Sequence, residues 1–338
     1  MRTGQLPGRE RSPGVDAHGR TIDYLRLSVT DRCNERCLYC LPEGSRGWER
    51  TTDHLTAAEI LRLVRAAVGL GFRKFRLTGG EPLLRGDLVG IVRAMHTLPG
   101  VETIGLSTNG NRLAALAQPL RNAGLRTVNV SLDALAPPVY RRITGGDVST
   151  VLAGIQAALQ ARFARVKLNT VLLRGMNEQE LWPLVRFAAG HGLPLRLIEL
   201  MPVTTPAMLR ARHFFPVEEA KRLLAQRDEL IAQPSAYLGW GPAKYYRLKH
   251  SGALVGFIGP LTTPHFCDTC NKLRLTADGK VRPCLGDHGE VDIRAALRAC
   301  DPDAAVRDAL RDALLHKPAQ HRFGPQYVPG RPMTAIGG

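Results

Sequence analysis

Long apolar runs are missing from this 338-residue chain: nowhere do 18 apolar residues follow one another without a charge, which excludes a membrane-spanning helix of the usual kind. The stretch from Met1 to Arg20 is rich in Gly, Arg and Pro and lacks the apolar core of a secretory signal, so it reads as a disordered tail and the expected location is cytoplasmic. Aromatic residues make up only 6% of the chain, too few for the stacking platforms on which single-stranded nucleic acids are held. Acidic residues are the minority charge, with 30 Asp plus Glu against 46 Lys plus Arg and a formal net charge of +16. An excess of that sign points to nucleic acid, a phosphate-rich ligand or a membrane surface. The seven cysteines are clustered, and in a reducing compartment clustering points to metal or redox chemistry before disulfides. The 44% hydrophobic and 22% charged shares exclude disorder and coiled coil and fit one large α/β unit with a smaller appendage.

Six short strand-like runs recur along the first two-thirds: 24–29, 74–78, 103–108, 127–131, 166–171 and 195–199. Helical patterns separate them. The helix of residues 56–69 opens with Thr56 and Glu59 in capping-box spacing, and that of residues 177–189 opens in the same way with Asn177 and Glu180. Residues 113–123 and 150–162 also read as helices. Alternating strands and helices imply right-handed βαβ units and a parallel sheet. The strands alternate instead of reading as continuous apolar runs: Leu25 and Leu27 oppose Arg26 and Ser28, and Phe75 and Leu77 oppose Lys74 and Arg76. Parallel sheets rarely leave a face bare. A barrel or part-barrel with apolar residues under the helices and a cationic lumen reconciles the two patterns. That lumen would hold Arg26, Lys74, Arg76, Lys167 and Arg196, a set suited to a polyanion.

After Glu199 the pattern turns irregular, then gives a helix over residues 216–226 and a hairpin of residues 244–249 and 254–258 around Ser251-Gly252. The expected organisation is a tail (1–20), a partial barrel (21–215), a smaller C-terminal region packed on it (216–325) and a terminal Gly-Gly tail (326–338).

Cys33, Cys37 and Cys40 form C-x3-C-x2-C in the loop after the first strand, at the carboxyl end where barrel active sites sit. Zinc sites usually take four ligands. Three thiolates with no fourth beside them point to an iron–sulfur cube with one iron left open, the alternative being a zinc knuckle that recruits a distant ligand. Cys267, Cys270 and Cys284 form a second triplet, C-x2-C-x13-C. It reads as another open-iron cluster, although three members of a four-cysteine zinc ribbon would look the same. Cys300 falls in a helical stretch and reads as a packed bystander.

The first cysteine spacing, with Tyr39 beside the last cysteine and Thr78-Gly79-Gly80-Glu81-Pro82 at the end of the second strand, resembles the radical S-adenosylmethionine (SAM) superfamily. With the second triplet added, the chain from about Asp23 to Gly338 resembles the GTP 3′,8-cyclases of molybdenum cofactor biosynthesis. The matching stretches are residues 25–33, 76–83, Ser107-Thr108-Asn109-Gly110, 129–133, 243–247, the second cysteine set and Ile336-Gly337-Gly338.

That resemblance implies an incomplete (β/α)6 barrel of the TIM type, with a smaller C-terminal region carrying a second cluster. It implies two 4Fe–4S clusters and SAM as cofactors. A 5′-deoxyadenosyl radical would take the ribose 3′ hydrogen of GTP, and the product would be 3′,8-cyclo-7,8-dihydro-GTP. The SAM contacts carry over to Tyr39, Gly80, Ser131 and Met201. The GTP contacts carry over to Arg26, Arg76, Ser107 and Lys167, with Arg196 a further candidate. The second cluster would hold the guanine. The family's R-x-R after that cluster stands here as Lys272-Leu273-Arg274, so Lys272 keeps the charge without the planar two-pronged donor. Gly337 and Gly338 would reach into the active site. Implied partners are GTP, a small-molecule or protein electron donor, the next pathway enzyme (cyclic pyranopterin monophosphate synthase) and a second copy in a homodimer, with no nucleic acid and no membrane. The competing readings are a radical SAM enzyme acting on a peptide or another nucleotide, and a zinc-stabilised nucleic-acid-binding protein.

Overall fold

The computed structural model describes residues 14–40, 53–203, 212–234, 241–324, 326–328 and 330–337. Six parallel strands follow one another in space as in sequence: β1 (Tyr24–Ser28), β2 (Lys74–Thr78), β3 (Thr103–Thr108), β4 (Thr127–Ser131), β5 (Arg165–Leu172) and β6 (Leu195–Glu199). Between them run α1 (Ala57–Gly69), α2 (Leu88–His96), α3 (Leu113–Asn122), α4 (Pro137–Thr144), α5 (Val148–Gln160) and α6 (Leu181–Gly190). The helices cover the outer face. Ile60, Leu63 and Val64 of α1 join Leu25, Leu27 and Phe75 of the strands in one core, each at most 1% exposed.

The capping box expected at Thr56 and Glu59 forms and starts α1. The one expected at Asn177 does not. Asn177 instead donates from Nδ2 to the Asp133 and Val171 carbonyls and accepts from the Leu173 N–H. Glu180 accepts from the N–H groups of Leu135 and Ala136. Both side chains tie the loop after β4 to the end of β5, and α6 begins only at Leu181.

The later strands do not stand apart from the barrel. β7 (Leu230–Gln233), β8 (Lys244–Leu248) and β9 (Leu254–Ile258) extend one edge, with β9 parallel to β6 and the expected β8–β9 hairpin in place. β10 (Lys272–Leu275), β11 (Lys280–Arg282) and β12 (Val291–Asp292) extend the other, with β10 parallel to β1. Among the described residues the result is one twelve-stranded sheet. Cys300 is not in a helix: it is exposed in the turn between the helices Ile293–Leu297 and Pro302–Leu315.

Candidate active site

The pairing register sets the lumen. Arg274 of β10 lies level with Arg26 of β1, Arg26 with Arg76 of β2, and Arg76 with Gly105 of β3. Farther round, Ser107 pairs with Asn129, Asn129 with Lys167, and Asn169 with Arg196. Because side chains alternate faces along a strand, this brings Arg26, Arg76, Lys167, Arg196 and Arg274 to one surface. Gly105 makes the arrangement possible. A Cβ there would stand 2.6 Å from Arg76 Nη2 and 2.6 Å from Thr127 Oγ1, and across that gap Arg76 donates to Tyr24 Oη at 2.5 Å, the Leu106 carbonyl at 2.7 Å and Thr127 Oγ1 at 3.1 Å.

These side chains line a cavity of about 260 Å³ that also receives Arg165, Lys272 and Lys317. Among the described residues eight Lys and Arg side chains line it, and no Asp or Glu does. The electrostatic consequence is visible on each group. Burial, then Arg196, Arg76 and Arg165, push the Lys167 ammonium down to about 6. Burial pushes Lys272 down to about 8, with Arg26 and Arg274 adding to it. Burial also takes Arg274 to about 9 and Arg196 to about 10. Burial alone would raise the Tyr24 phenol, yet Arg76, Arg26 and Lys272 bring it down to about 8. Arg196 keeps Nε and Nη2 buried with no hydrogen-bond partner among the described residues. Such a surface is unfavourable by itself and is relieved by a multiply charged anion.

Lys74 does not join it. At the first position of β2 it bonds Asp23 in an ion pair at the amino end of the strands, away from the cavity lining. Arg165, Tyr24 and Lys317 were not anticipated. Arg165 stands two residues before Lys167 on the same face, so starting the fifth strand one residue earlier would have found it. Lys317 follows a helix and carries no pattern in the sequence.

A second cavity of about 190 Å³ shares Ser107, Asn169, Ile198, Met201 and Met333 with the first. Its walls carry Cys33, Cys37, Cys40, Tyr39, Gly80 and Ser131. The three cysteines are free thiols, and the Gly80 and Glu81 N–H groups bond the Thr30 and Arg32 carbonyls at 2.8 and 2.7 Å, fixing the glycine turn against the cysteine loop. Glu81 accepts from the Leu83 N–H, Thr108 Oγ1 and the Asn109 N–H, and burial lifts its carboxyl to about 7. Tyr39 donates to Asp133 Oδ2 at 2.6 Å. Burial pushes the Cys33 thiol up to about 12, so ligation by a cationic centre would have to supply its charge. Three un-bridged thiols lining one cavity with the Gly79-Gly80 backbone fit a cluster plus an amino-acid-like ligand. No three His, Cys, Asp or Glu side chains among the described residues converge as a single ion requires; thiolates on separate irons of a cube need no such convergence.

Cys267, Cys270 and Cys284 also line the cationic cavity, as free thiols. Burial would raise the Cys270 thiol, but Lys317, Lys272 and the Lys272 N–H hold it below its ordinary value. The chain terminus reaches the same region. Arg274 Nη1 donates to the Gly337 carbonyl at 2.8 Å. Gly337 adopts φ +84°, and a Cβ on it would stand 2.7 Å from Thr78 Cγ2. Gly338 lies outside the described residues.

Residues 27–188 match the family described as the Radical SAM superfamily, and residues 193–323 match Molybdenum Cofactor Synthesis C. The chain is 45% identical over 312 residues to the GTP 3′,8-cyclase 1 of Pseudomonas aeruginosa, covering 91% of this chain and 94% of that one. It is 44% identical over 324 residues to the GTP 3′,8-cyclase of Moorella thermoacetica, covering 96% and 99%. Among solved structures, Streptococcus suis SuiB bound to its precursor peptide SuiA superposes with a TM-score of 0.60 at 14% identity, over 86% of this chain and 68% of that one. This last likeness is one of fold.

Proposed function

Because this chain belongs to the radical SAM superfamily and, within it, to the GTP 3′,8-cyclases, we propose that its two joined cavities divide the reaction between them, cofactor on one side and GTP on the other. The protein is a radical SAM enzyme that forms 3′,8-cyclo-7,8-dihydro-GTP from GTP, the first step of molybdenum cofactor biosynthesis. When bound, the cluster and SAM supply the electron and the 5′-deoxyadenosyl radical that takes the ribose 3′ hydrogen.

The chain's own residues bind, orient and shield. Cys33, Cys37 and Cys40 hold the first cluster, and Tyr39, Gly80, Ser131 and Met201 surround the cofactor side. Arg26, Arg76, Lys167, Arg196 and Arg274 meet the triphosphate, with Lys272 beside them and Ser107 at the junction. Arg76, already held by three protein acceptors, acts as a fixed pedestal and leaves little reorganisation for binding. Cys267, Cys270 and Cys284 hold the second cluster on the wall that the guanine reaches. Gly337 closes the side where β1 and β2 end. The single observation carrying the substrate side is a cavity that, among the described residues, is lined by eight Lys and Arg side chains and no carboxylate.

Anaerobic reconstitution with reductant, SAM and GTP tests the reading. It predicts 5′-deoxyadenosine formed faster with GTP than without, and a cyclised nucleotide. Equal rates with and without GTP would make the substrate another molecule, such as a peptide. Among the described residues no helix is long and apolar enough to cross a membrane. Eight Lys and Arg side chains gathered round one cavity favour a phosphate-rich small ligand over nucleic acid, and the proposed enzyme is cytoplasmic. A homodimer, an external electron donor and hand-over to cyclic pyranopterin monophosphate synthase complete the proposal.

A further inference from the structure

Lysine is almost never fully buried without a partner of opposite charge. Lys317 is 2% exposed, and among the described residues no carboxylate lies within ion-pair distance of it. Its ammonium has three protons to place. Two go to backbone carbonyls, that of Pro283 at 2.6 Å and that of Lys272 at 3.0 Å. Those acceptors flank the second cysteine set: Pro283 precedes Cys284, and Lys272 stands two residues after Cys270. The ammonium also lies near enough for its charge to act on the Cys270 and Cys284 thiols. The turn bearing Lys317 is itself anchored. Arg20 donates to the Pro318, Ala319 and Cys267 carbonyls at 2.7, 2.8 and 3.1 Å, while its Nε bonds Asp16 at 2.6 Å. One turn, residues 317–319, thereby gathers the segments of all three cysteines.

We infer that Lys317 is a positioning residue of the second cluster: it locks the Cys270 and Cys284 segments together, and its ammonium is the counter-charge of the ligating thiolates, favouring the reduced cluster. The inference rests on the reading that Cys267, Cys270 and Cys284 hold a cluster. A cation hydrogen-bonded to a cluster thiolate raises the reduction potential, because added negative charge is better stabilised.

The test uses the full chain carrying Cys33→Ala, Cys37→Ala and Cys40→Ala, so that only the second cluster forms, with iron content and a redox titration followed by electron paramagnetic resonance. Lys317→Met keeps the length and removes the charge; Lys317→Arg keeps the charge. The expected result is that Lys317→Met shifts the midpoint potential downward and Lys317→Arg stays near the parent. If Lys317→Met assembles no cluster, restored iron in Lys317→Arg still supports a charge requirement. Unchanged iron and potential in Lys317→Met would overturn the inference. So would loss of iron in both variants with a lowered melting temperature, which would make Lys317 ordinary scaffolding. A parent without iron would remove the second-cluster reading itself, and the inference with it.

Discussion

At the scale of single residues, the cavity is a set of cations whose mutual repulsion is stored until an anion arrives. Lys167 is the sharpest case. Free of ligand, the folded chain leaves it neutral above about pH 6, whereas the unfolded chain protonates it up to near 10.5. The unfolded state therefore binds more protons in that window, and this group adds stability as pH rises through it. A bound triphosphate reverses the balance by favouring the ammonium. At pH 8, where the γ-phosphate is already ionised, GTP binding is expected to take up protons. Calorimetry in buffers of differing ionisation heat reads this uptake, and Lys167→Met should diminish it; a binding heat independent of buffer would contradict the assignment. Arg26→Ala removes one charged donor. A hydrogen bond to a charged group contributes about 1.5–3 kcal/mol, so GTP affinity should fall about 10- to 100-fold while iron content at both clusters is unchanged. Loss of iron in that variant would mean that Arg26 supports the fold and not the ligand.

At the scale of elements, strand alternation carried the site. Leu25, Leu27, Phe75 and Leu77 are at most 1% exposed under the helices, as period-two patterning implies, and the polar partners on β1, β2, β5 and β6 then had to share the lumen. Where the reading went astray, a tertiary partner had displaced a local one. Lys74 sits on the lumen face by alternation but at the amino end of β2, within reach of Asp23. Asn177 has the sequence of a helix cap but bonds the loop after β4 and the end of β5. Cys300 reads as part of a helical stretch but lies exposed in the turn beyond Leu297, where the helix has ended. The glycine in the middle of β3 carries no signal of its role in the local sequence. Its reason is the Arg76 guanidinium lying across it, a contact set by a different strand. Gly105→Ala should push that guanidinium aside, weakening GTP binding by about tenfold, roughly 1.4 kcal/mol, with both clusters intact. Unchanged affinity would show that Arg76 does not need the gap.

At the scale of the whole molecule, the chain closes on itself by lending strands from its C-terminal third to both edges of the parallel sheet. Nothing local in the sequence indicates that β10 lies beside β1, because that pairing joins residues some 248 positions apart. The two open edges of β1 and β6 would otherwise present unpaired backbone groups, and Leu273, Leu275 and Val255, each at most 1% exposed, would leave their apolar contacts unfilled. A chain ending after residue 215 is therefore expected to be insoluble or to lack a cooperative thermal transition, as circular dichroism would show. A soluble fragment with a sharp melt would mean that the first six strands fold alone. The same closure brings the second cysteine set, Lys317 and Gly337 to the lumen, so the substrate cavity is assembled from both ends of the chain.

In the proposed arrangement the cationic cavity holds GTP with its ribose toward the wall that the two cavities share, at Ser107, Asn169 and Met201. The most direct measurement uses GTP deuterated at C3′ with the reconstituted enzyme and mass analysis of the nucleoside released from SAM. The expected product is 5′-deoxyadenosine one mass unit heavier, formed in step with the cyclised product and lost in Arg26→Ala at limiting GTP; unlabelled 5′-deoxyadenosine, formed at the same rate without GTP, would show that the hydrogen does not come from GTP.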